Sequence, residues 1–199
     1  MSEPRLATVL EAIDAANAAD PNRVTVEGEA RAAELVYGAR MSEALGRLYP
    51  GASEHLSIAA RGQHIERWTS PRAGYAQGRV GYLKWRKDLL DYHARRLAEI
   101  MQDAGYQESD IARVRSLVRK EKIKYDDEAQ ALEDVICVVF LEHYFADFAA
   151  KHDDAKVVDI VRKTWTKMSP RGHEAALALD LPKRAGRLVA AALADSPAD

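Results

Sequence analysis

The sequence predicts an all-α fold, and three observations support this prediction. Apolar residues recur at the spacing of a buried helix face through nearly the whole chain. Alternating runs of Val, Ile and Thr, which are typical of strands, are scarce. Helix-breaking clusters such as Asp20-Pro21-Asn22 and Tyr49-Pro50-Gly51 separate the periodic segments. We therefore expect a single compact bundle of about eight helices.

The first three helices are predicted from these breaks. The first runs from about Pro4 to Ala18 and is followed by a loop to about Gly28. The second runs from about Glu29 to Leu48. Ser53 is a good N-cap for a third helix, because its hydroxyl can accept a hydrogen bond from a free backbone N–H. This third helix is expected to end near Trp68.

A glycine-punctuated segment, Thr69 to Gly81, follows the third helix and is predicted to be a loop that covers a pocket. A fourth helix is expected from about Tyr82 to Ala104, where Gly105 ends it. A fifth helix begins near Ser109. The loop and the fourth helix together place several charged and aromatic residues next to the third helix.

The sixth helix, from about Asp126 to Lys151, is expected to be the core helix. Its segment Val135 to Leu141 is apolar on every face, so neighbouring helices should surround it. A helix around Lys156 to Lys167 and two short helices after Ser169-Pro170 complete the chain. We expect one domain over residues 1–199, with a core at about 29–145 and a C-terminal helical extension at about 154–195.

Composition narrows the class of protein. A chain of 199 residues can bury a core without disulfides, and its one cysteine, Cys137, lies in the apolar run of the core helix. The formal net charge of -2 gives no global attraction to nucleic acid or anionic lipid. No segment approaches the apolar length of a membrane span or a secretion signal. We expect a cytoplasmic protein with no membrane partner.

Positive charge is concentrated between residues 61 and 87. This segment has seven basic residues and one acidic residue, interleaved with aromatic side chains. Guanidinium groups suit phosphate or carboxylate, and aromatic rings can stack on a base. The segment therefore predicts an anionic, nucleotide-like ligand; the alternative is a solvated basic surface. Gln63 and Arg67 are expected to share a helix face.

Two histidines and two carboxylates are candidates for acid–base chemistry. His64 and His93 lie among apolar helix positions, so their imidazoles can reach the interior. Glu133 and Asp134 precede the apolar run of the core helix, where a desolvated carboxylate requires a partner such as an imidazole. The alternative for each is a structural role, as a satisfied core histidine or as a buried ion pair.

Several segments resemble the HD-domain superfamily of helical phosphohydrolases over roughly residues 29 to 145. Tyr37-Gly38-Ala39-Arg40 resembles the first motif, with Tyr37 in place of a ligand His. Gln63-His64-Ile65 replaces His-Asp-Ile, and the segment from His93 to Met101 resembles the later His-bearing helix. In Glu133-Asp134-Val135-Ile136, Ile136 stands at the position of the last ligand Asp. The resemblance implies an HD-like bundle from which the usual metal ligands have been lost.

The fuller pattern is similar to a family known as domain of unknown function 4202, and that similarity implies no activity. It rests on four segments along most of the chain: Gln63 to Trp68, Gly81 to Arg86, Leu132 to Val135 and Lys163-Thr164-Trp165.

Three functional hypotheses follow. In the first, the pocket binds an anionic small molecule that is phosphorylated and nucleotide-like. If the protein is an enzyme, it also converts this molecule. No cofactor is expected. His64 or His93 then acts as acid or base, with Asp134 orienting it and Glu133 beside it. The residues predicted to contact the ligand are Tyr37, Arg40, Gln63, Arg67, Arg72 and Arg86.

The second hypothesis is a divalent-metal-dependent phosphohydrolase with a rebuilt site. Its ligands would be His64, Glu66, His93 and Asp134. The third is a non-enzymatic module that binds RNA or a protein through the basic loop and its tryptophans, which are Trp68, Trp85 and Trp165. The sequence leaves the choice between enzyme and binding module open, and it leaves the oligomeric state open as well.

Overall fold

The structure is a computed structural model that describes residues 3–194, apart from the side chains of Glu3 and Lys124. The prediction of an all-α fold is confirmed, with the addition of one short antiparallel hairpin. The described residues form ten α-helices, which are α1 Glu3–Ala18, α2 Ala33–Leu48, α3 Glu54–Arg61, α4 Gly78–Asp103, α5 Glu108–Val118, α6 Asp127–His143, α7 Phe145–Ala150, α8 Asp154–Trp165, α9 Pro170–Leu177 and α10 Lys183–Ala194. None of them is long and apolar enough to cross a membrane.

The chain divides into two compact units, Met1–Ala129 and Gln130–Asp199. The division falls inside α6, near its N-terminus. The core predicted from the sequence, at about residues 29–145, ends later than this division. That single-domain assignment stays a prediction.

The hairpin consists of β1, Arg23–Val26, and β2, Glu29–Ala32. The strands pair antiparallel, with Val26 opposite Glu29. Glu27 and Gly28 both have positive φ angles, 51° and 84°, as a two-residue hairpin turn requires. The expectation of a loop and of a helix beginning at Glu29 was therefore wrong, because the pairing takes residues 29–32 into a strand.

Helix α3 ends earlier than the sequence predicts. Its N-cap is Ser53, whose hydroxyl accepts a hydrogen bond from the Leu56 backbone N–H at 3.1 Å. The helix stops at Arg61, and Gly62 follows in close contact with α4: a Cβ at this position would lie 2.3 Å from Leu97 Cδ2. Glu66 then takes a left-handed conformation with φ of 52°. The predicted helix to Trp68, and with it the shared helix face of Gln63 and Arg67, was wrong.

Helix α4 begins one turn before its predicted start, at Gly78. The loop that precedes it is held by Arg72, whose guanidinium donates to the carbonyls of Tyr75 at 3.0 Å and Ala76 at 2.8 Å. Gly81 packs against this loop, since a Cβ there would lie 1.9 Å from the Ala76 carbonyl oxygen. The loop therefore has a defined course into the first turn of α4.

In the second unit, a break at Tyr144 separates α6 from α7, so the predicted helix to Lys151 was wrong. Asp134 is fully buried on α6 and accepts hydrogen bonds from the Ser169 backbone N–H at 2.7 Å, the Ser169 hydroxyl and Gln130 Nε2 at 3.1 Å. Ser169 is the N-cap of α9. Asp134 thus secures the start of α9. Cys137 also lies in α6 and is buried.

Candidate anion-binding cleft

A cleft in the first unit gathers residues from three segments. These segments are the turn after α3, residues 82–93 of α4 and the chain after α5. The residues that line it are Gln63, His64, Arg67, Tyr82, Trp85, Arg86, Leu89, Leu90, His93 and Lys120. Three of these carry a positive charge, and none is acidic.

The turn that carries the first three lining residues is anchored by Asn17 of α1. The buried Asn17 side chain accepts a hydrogen bond from the Glu66 backbone N–H at 2.9 Å and donates to the Glu34 carbonyl at 3.5 Å. These bonds connect the turn to the first turn of α2. A left-handed residue such as Glu66 carries a backbone cost that surrounding contacts must offset.

The carboxylate of Glu66 supplies further contacts to α4. It accepts hydrogen bonds from Arg96 Nε at 2.7 Å and from the Tyr92 hydroxyl at 2.8 Å. Burial alone would raise the pKa of Glu66, but these hydrogen bonds outweigh it and lower that pKa. Glu66 is therefore an ionised structural group that holds the turn against α4.

His64 lies between a carboxylate and a guanidinium. Its Nδ1 is 3.4 Å from Glu34 Oε2, while Arg67 Nη1 lies 2.9 Å from Nε2 and 3.3 Å from Nδ1. A guanidinium only donates hydrogen bonds, so the nearer nitrogen, Nε2, accepts and Nδ1 carries the proton. Burial, followed by the charges of Arg67 and Lys120, lowers the pKa of His64 well below its usual range. The imidazole is therefore neutral.

The other face of this imidazole is covered by Tyr37 of α2. The two rings stack with centroids 4.0 Å apart, and the Tyr37 hydroxyl donates to Gln63 Oε1 at 2.5 Å. Glu34, one turn earlier on α2, is half-buried, and burial raises its pKa to about 7 although the charge of Arg67 opposes the shift. Helix α2 thus positions the ring of His64 from two sides.

His93 comes from α4 and is only 2% exposed. Its Nδ1 lies 2.8 Å from the Ile65 carbonyl oxygen, and because a carbonyl only accepts, Nδ1 must carry a proton. Burial and the neighbouring His64 lower the pKa of His93 to about 3. The ring is neutral, and its centroid lies 6.2 Å from that of His64.

The cations of the cleft adjoin aromatic rings. Arg67 lies over the Trp85 ring, with Cζ 5.2 Å from the centroid, and Trp85 Nε1 donates to the Ser70 carbonyl at 2.9 Å. Arg86 is exposed, lies 5.9 Å from the Tyr82 ring centroid and has no ion-pair partner among residues 3–194. Exposed guanidinium groups of this kind can bind an incoming anion without first breaking an ion pair.

The structure distributes the other predicted residues over different roles. Arg72 binds carbonyls of its own loop, and Arg40 of α2 is half-buried outside the cleft lining. Glu133 and Asp134 belong to α6 of the second unit, where the described contacts of Asp134 secure α9. Their predicted roles in catalysis stay predictions.

Much of the basic cluster is paired with carboxylates. Lys84 donates to Asp88 at 2.6 Å, Lys87 to Asp91 at 3.3 Å, and Arg61 Nε to Asp14 at 2.6 Å. These three cations belong to the balanced basic surface that was the alternative interpretation of the segment. Arg67 and Arg86 remain as the members of the cluster that line the cleft.

The tryptophans of the third hypothesis take separate positions. Trp68 is half-buried in the turn after Glu66, and Trp85 lines the cleft. Trp165 belongs to the second unit and stacks on His173, with centroids 4.1 Å apart. Within the described residues, no three His, Cys, Asp or Glu side chains gather in a geometry that could hold a metal ion. The described residues therefore offer no group of three ligands for the metal site of the second hypothesis.

Two residues of the site were missed by the sequence analysis. Glu34 contacts His64 although 30 positions separate them in the printed sequence, and Lys120 enters the cleft from a turn in which it has a positive φ of 58°. The basic run Arg119-Lys120-Glu121-Lys122 was the available signal for Lys120. Nothing in the local sequence of Glu34 distinguishes it from a solvated helix residue.

Comparison with known proteins gives a family but no activity. A family whose description reads "Domain of unknown function (DUF4202)" matches residues 7–189 of the chain. No curated protein matches the sequence, and no solved structure matches it.

Proposed function

The chain belongs to the DUF4202 family, and from the chemistry of the cleft we propose that it binds an anionic small molecule that carries a phosphate group. The observation that carries this proposal is the charge of the lining: Arg67, Arg86 and Lys120 are cationic and no lining residue is acidic. Opposite charge within a partly desolvated cleft attracts an anion more strongly than the same charges do in bulk water.

The uncharged histidines of the cleft and a largely neutral carboxyl beside them also favour an anion. His64 and His93 have lowered pKa values, so they add no charge and present nitrogen atoms for directional hydrogen bonds. Glu34, whose carboxylate contacts the lining residue His64, has a pKa raised to about 7, so much of its negative charge is suppressed near neutral pH. Competition of this carboxylate for the lining cations is correspondingly weak.

Aromatic groups at the rim support a ligand with an organic part. Tyr82 is 43% exposed, its ring lies 6.0 Å from that of Trp85, and both residues line the cleft. A flat base or sugar can cover these rings while its phosphate lies near the cations. This arrangement supports the nucleotide-like form of the ligand.

The resemblance to HD-domain phosphohydrolases is part of the same proposal. The segments that carry it contribute Tyr37, Gln63, His64 and His93, and contacts between these side chains support a common polar centre. If the protein is an enzyme, His64 or His93 would be its acid or base; both are neutral at physiological pH, and the nitrogen that accepts no hydrogen bond from a described group is His93 Nε2.

Titration calorimetry with inorganic phosphate tests the proposal. Arg86→Gln should weaken binding about five- to tenfold, since one charge-assisted hydrogen bond is lost. Arg79→Gln is the matched control, because Arg79 is also exposed on α4 but does not line the cleft. Equal affinities of the wild type and Arg86→Gln would contradict the proposal.

The organic part of the ligand is tested by a second comparison. Adenosine 5′-monophosphate should bind more tightly than ribose 5-phosphate if the base stacks on the rim, and Tyr82→Leu should reduce that difference. Equal affinities for the two compounds would be consistent with a phosphate site but would contradict the proposal of a nucleotide-like ligand.

A further inference from the structure

His93 presents a hydrogen-bond acceptor, its Nε2, to a cleft whose cationic side chains are hydrogen-bond donors. Its Nδ1 donates to the Ile65 carbonyl, which leaves Nε2 of the neutral ring with a lone pair. Among the described residues, no group donates a hydrogen bond to this nitrogen. The side chain is 2% exposed and lines the cleft, so the acceptor can be satisfied from the cleft side.

The second lining imidazole does not share this property. Arg67 Nη1 lies 2.9 Å from His64 Nε2 and supplies a donor to it. Arg67 and His93 line the same cleft, and the His64 ring that Arg67 contacts has its centroid 6.2 Å from that of His93. An oxyanion bound by Arg67 is therefore expected to approach an open acceptor at His93.

A fully deprotonated oxyanion has only acceptor atoms, and its oxygen would face the lone pair of Nε2 without a hydrogen atom between them. An oxyanion that keeps a hydroxyl, such as hydrogen phosphate, donates that hydrogen instead. Leaving a buried acceptor unpaired is costly, and sites built around such a group reject ligands that lack the matching donor.

We infer that His93 Nε2 makes the cleft selective for a protonated oxyanion, accepting a hydrogen bond from the ligand's own P–OH group and thereby favouring phosphate over sulfate. This inference rests on the proposed anion-binding function and adds the protonation state of the ligand to it. A phosphate monoester such as a nucleotide keeps a P–OH only as its monoanion, so the monoanion is the form of such a ligand that the cleft would bind. His93 is a specificity-determining residue, because its acceptor distinguishes two dianions of similar size and equal charge.

The test compares phosphate with sulfate by titration calorimetry at about pH 8, where inorganic phosphate is mainly a dianion that still carries one hydroxyl. Ionic strength is matched with sodium chloride. The wild type should bind phosphate about tenfold more tightly than sulfate. His93→Asn should reduce the phosphate affinity to the sulfate level and leave sulfate within about twofold, because Asn keeps a donor near the Ile65 carbonyl but has no atom at Nε2.

His93→Phe is the second variant, and it keeps the ring volume if His93→Asn does not fold. Equal phosphate and sulfate affinities in the wild type, both weakened by Arg86→Gln, would overturn the inference and leave the anion-binding proposal intact. Binding of neither anion to the folded wild type would overturn both.

The origin of the hydroxyl is resolved by two phosphate esters. At about pH 8, methyl phosphate is a dianion without any hydroxyl, and it should bind as weakly as sulfate. A different result is that the protein prefers ribose 5-phosphate over methyl phosphate, that this preference depends on His93, and that phosphate is not preferred over sulfate. The hydroxyl that His93 binds would then belong to the organic part of the ligand. That result would overturn the P–OH assignment.

Discussion

Glu34 Oε2 lies 3.4 Å from His64 Nδ1, so a carboxylate of α2 contacts the imidazole whose other nitrogen accepts from Arg67. The contact connects the first turn of α2 to the turn after α3. It also places a carboxyl with a raised pKa beside a histidine with a lowered one. Opposite shifts of this kind arise because burial disfavours the charged form of both groups.

Replacing Glu34 with Gln should change how stability depends on pH. The folded pKa of about 7 is above the ordinary value of 4.5, so the folded state retains the proton more tightly than the unfolded state. The corresponding stabilisation is complete below the unfolded pKa and is lost as pH rises through 7. Relative to Glu34→Gln, the wild type should lose about 2–3 kcal/mol of unfolding free energy between about pH 4 and 8.

Urea denaturation of both proteins across this pH range measures the effect. Titrating groups far from Glu34 contribute equally to both proteins and cancel in the difference, whereas His64, which contacts Glu34, and His93 are coupled to it. Parallel curves for wild type and variant would show that the pKa of Glu34 is not raised in the folded protein.

His93 should stay neutral in the folded protein far below the ordinary histidine pKa of 6.5. Its folded pKa of about 3 means that stability from the neutral ring is present above pH 6.5 and is lost as pH falls toward 3. Nitrogen-15 NMR of the imidazole should show a proton on Nδ1, none on Nε2 and no titration above about pH 4. A midpoint near 6.5 for His93 would contradict the burial that lowers its pKa.

Gly81→Ala should destabilise the protein and weaken phosphate binding. The new Cβ would lie 1.9 Å from the Ala76 carbonyl oxygen, so the loop or the first turn of α4 must move. Overpacking of this kind costs about 1–3 kcal/mol. Tyr82, Trp85 and Arg86 follow directly on α4, so the cleft should be distorted as well.

Gly74→Ala provides the control for this change. Gly74 lies in the same loop, and a Cβ there meets no atom within 4 Å. The melting temperature and the phosphate affinity of Gly74→Ala should therefore remain close to those of the wild type. A Gly81→Ala protein with wild-type stability would refute the close approach of α4 to Ala76.

Asn17→Ala should destabilise the turn that carries His64 and Arg67. The change leaves the backbone N–H of Glu66 without its acceptor, and a lost buried partner costs about 1–3 kcal/mol. Phosphate affinity should fall too, because the turn supplies lining residues of the cleft. Thr8→Ala on the same helix removes only an exposed bond to the Pro4 carbonyl and should change stability by less than about 0.5 kcal/mol. If the two variants were equally stable, the anchoring role of Asn17 would be excluded.

The helical class, most helix starts and the N-cap at Ser53 could be predicted from the sequence because they depend on local patterns. Periodicity and capping act within a few residues, and the ranges of α1, α4 and α5 lie within one turn or so of their predictions. The end of α3 could not be predicted, because it depends on the packing of Gly62 against Leu97 on another helix.

The sequence by itself determined the fold class and the concentration of arginine, histidine and aromatic residues between positions 61 and 93. Tertiary structure alone decided which of them act together. It brought Glu34 to His64 and Lys120 to the cleft, and it assigned the proton of His93 to Nδ1. The physical reason is that hydrogen bonding, burial and charge pairing depend on distances in space, and the groups concerned lie up to tens of residues apart in the chain.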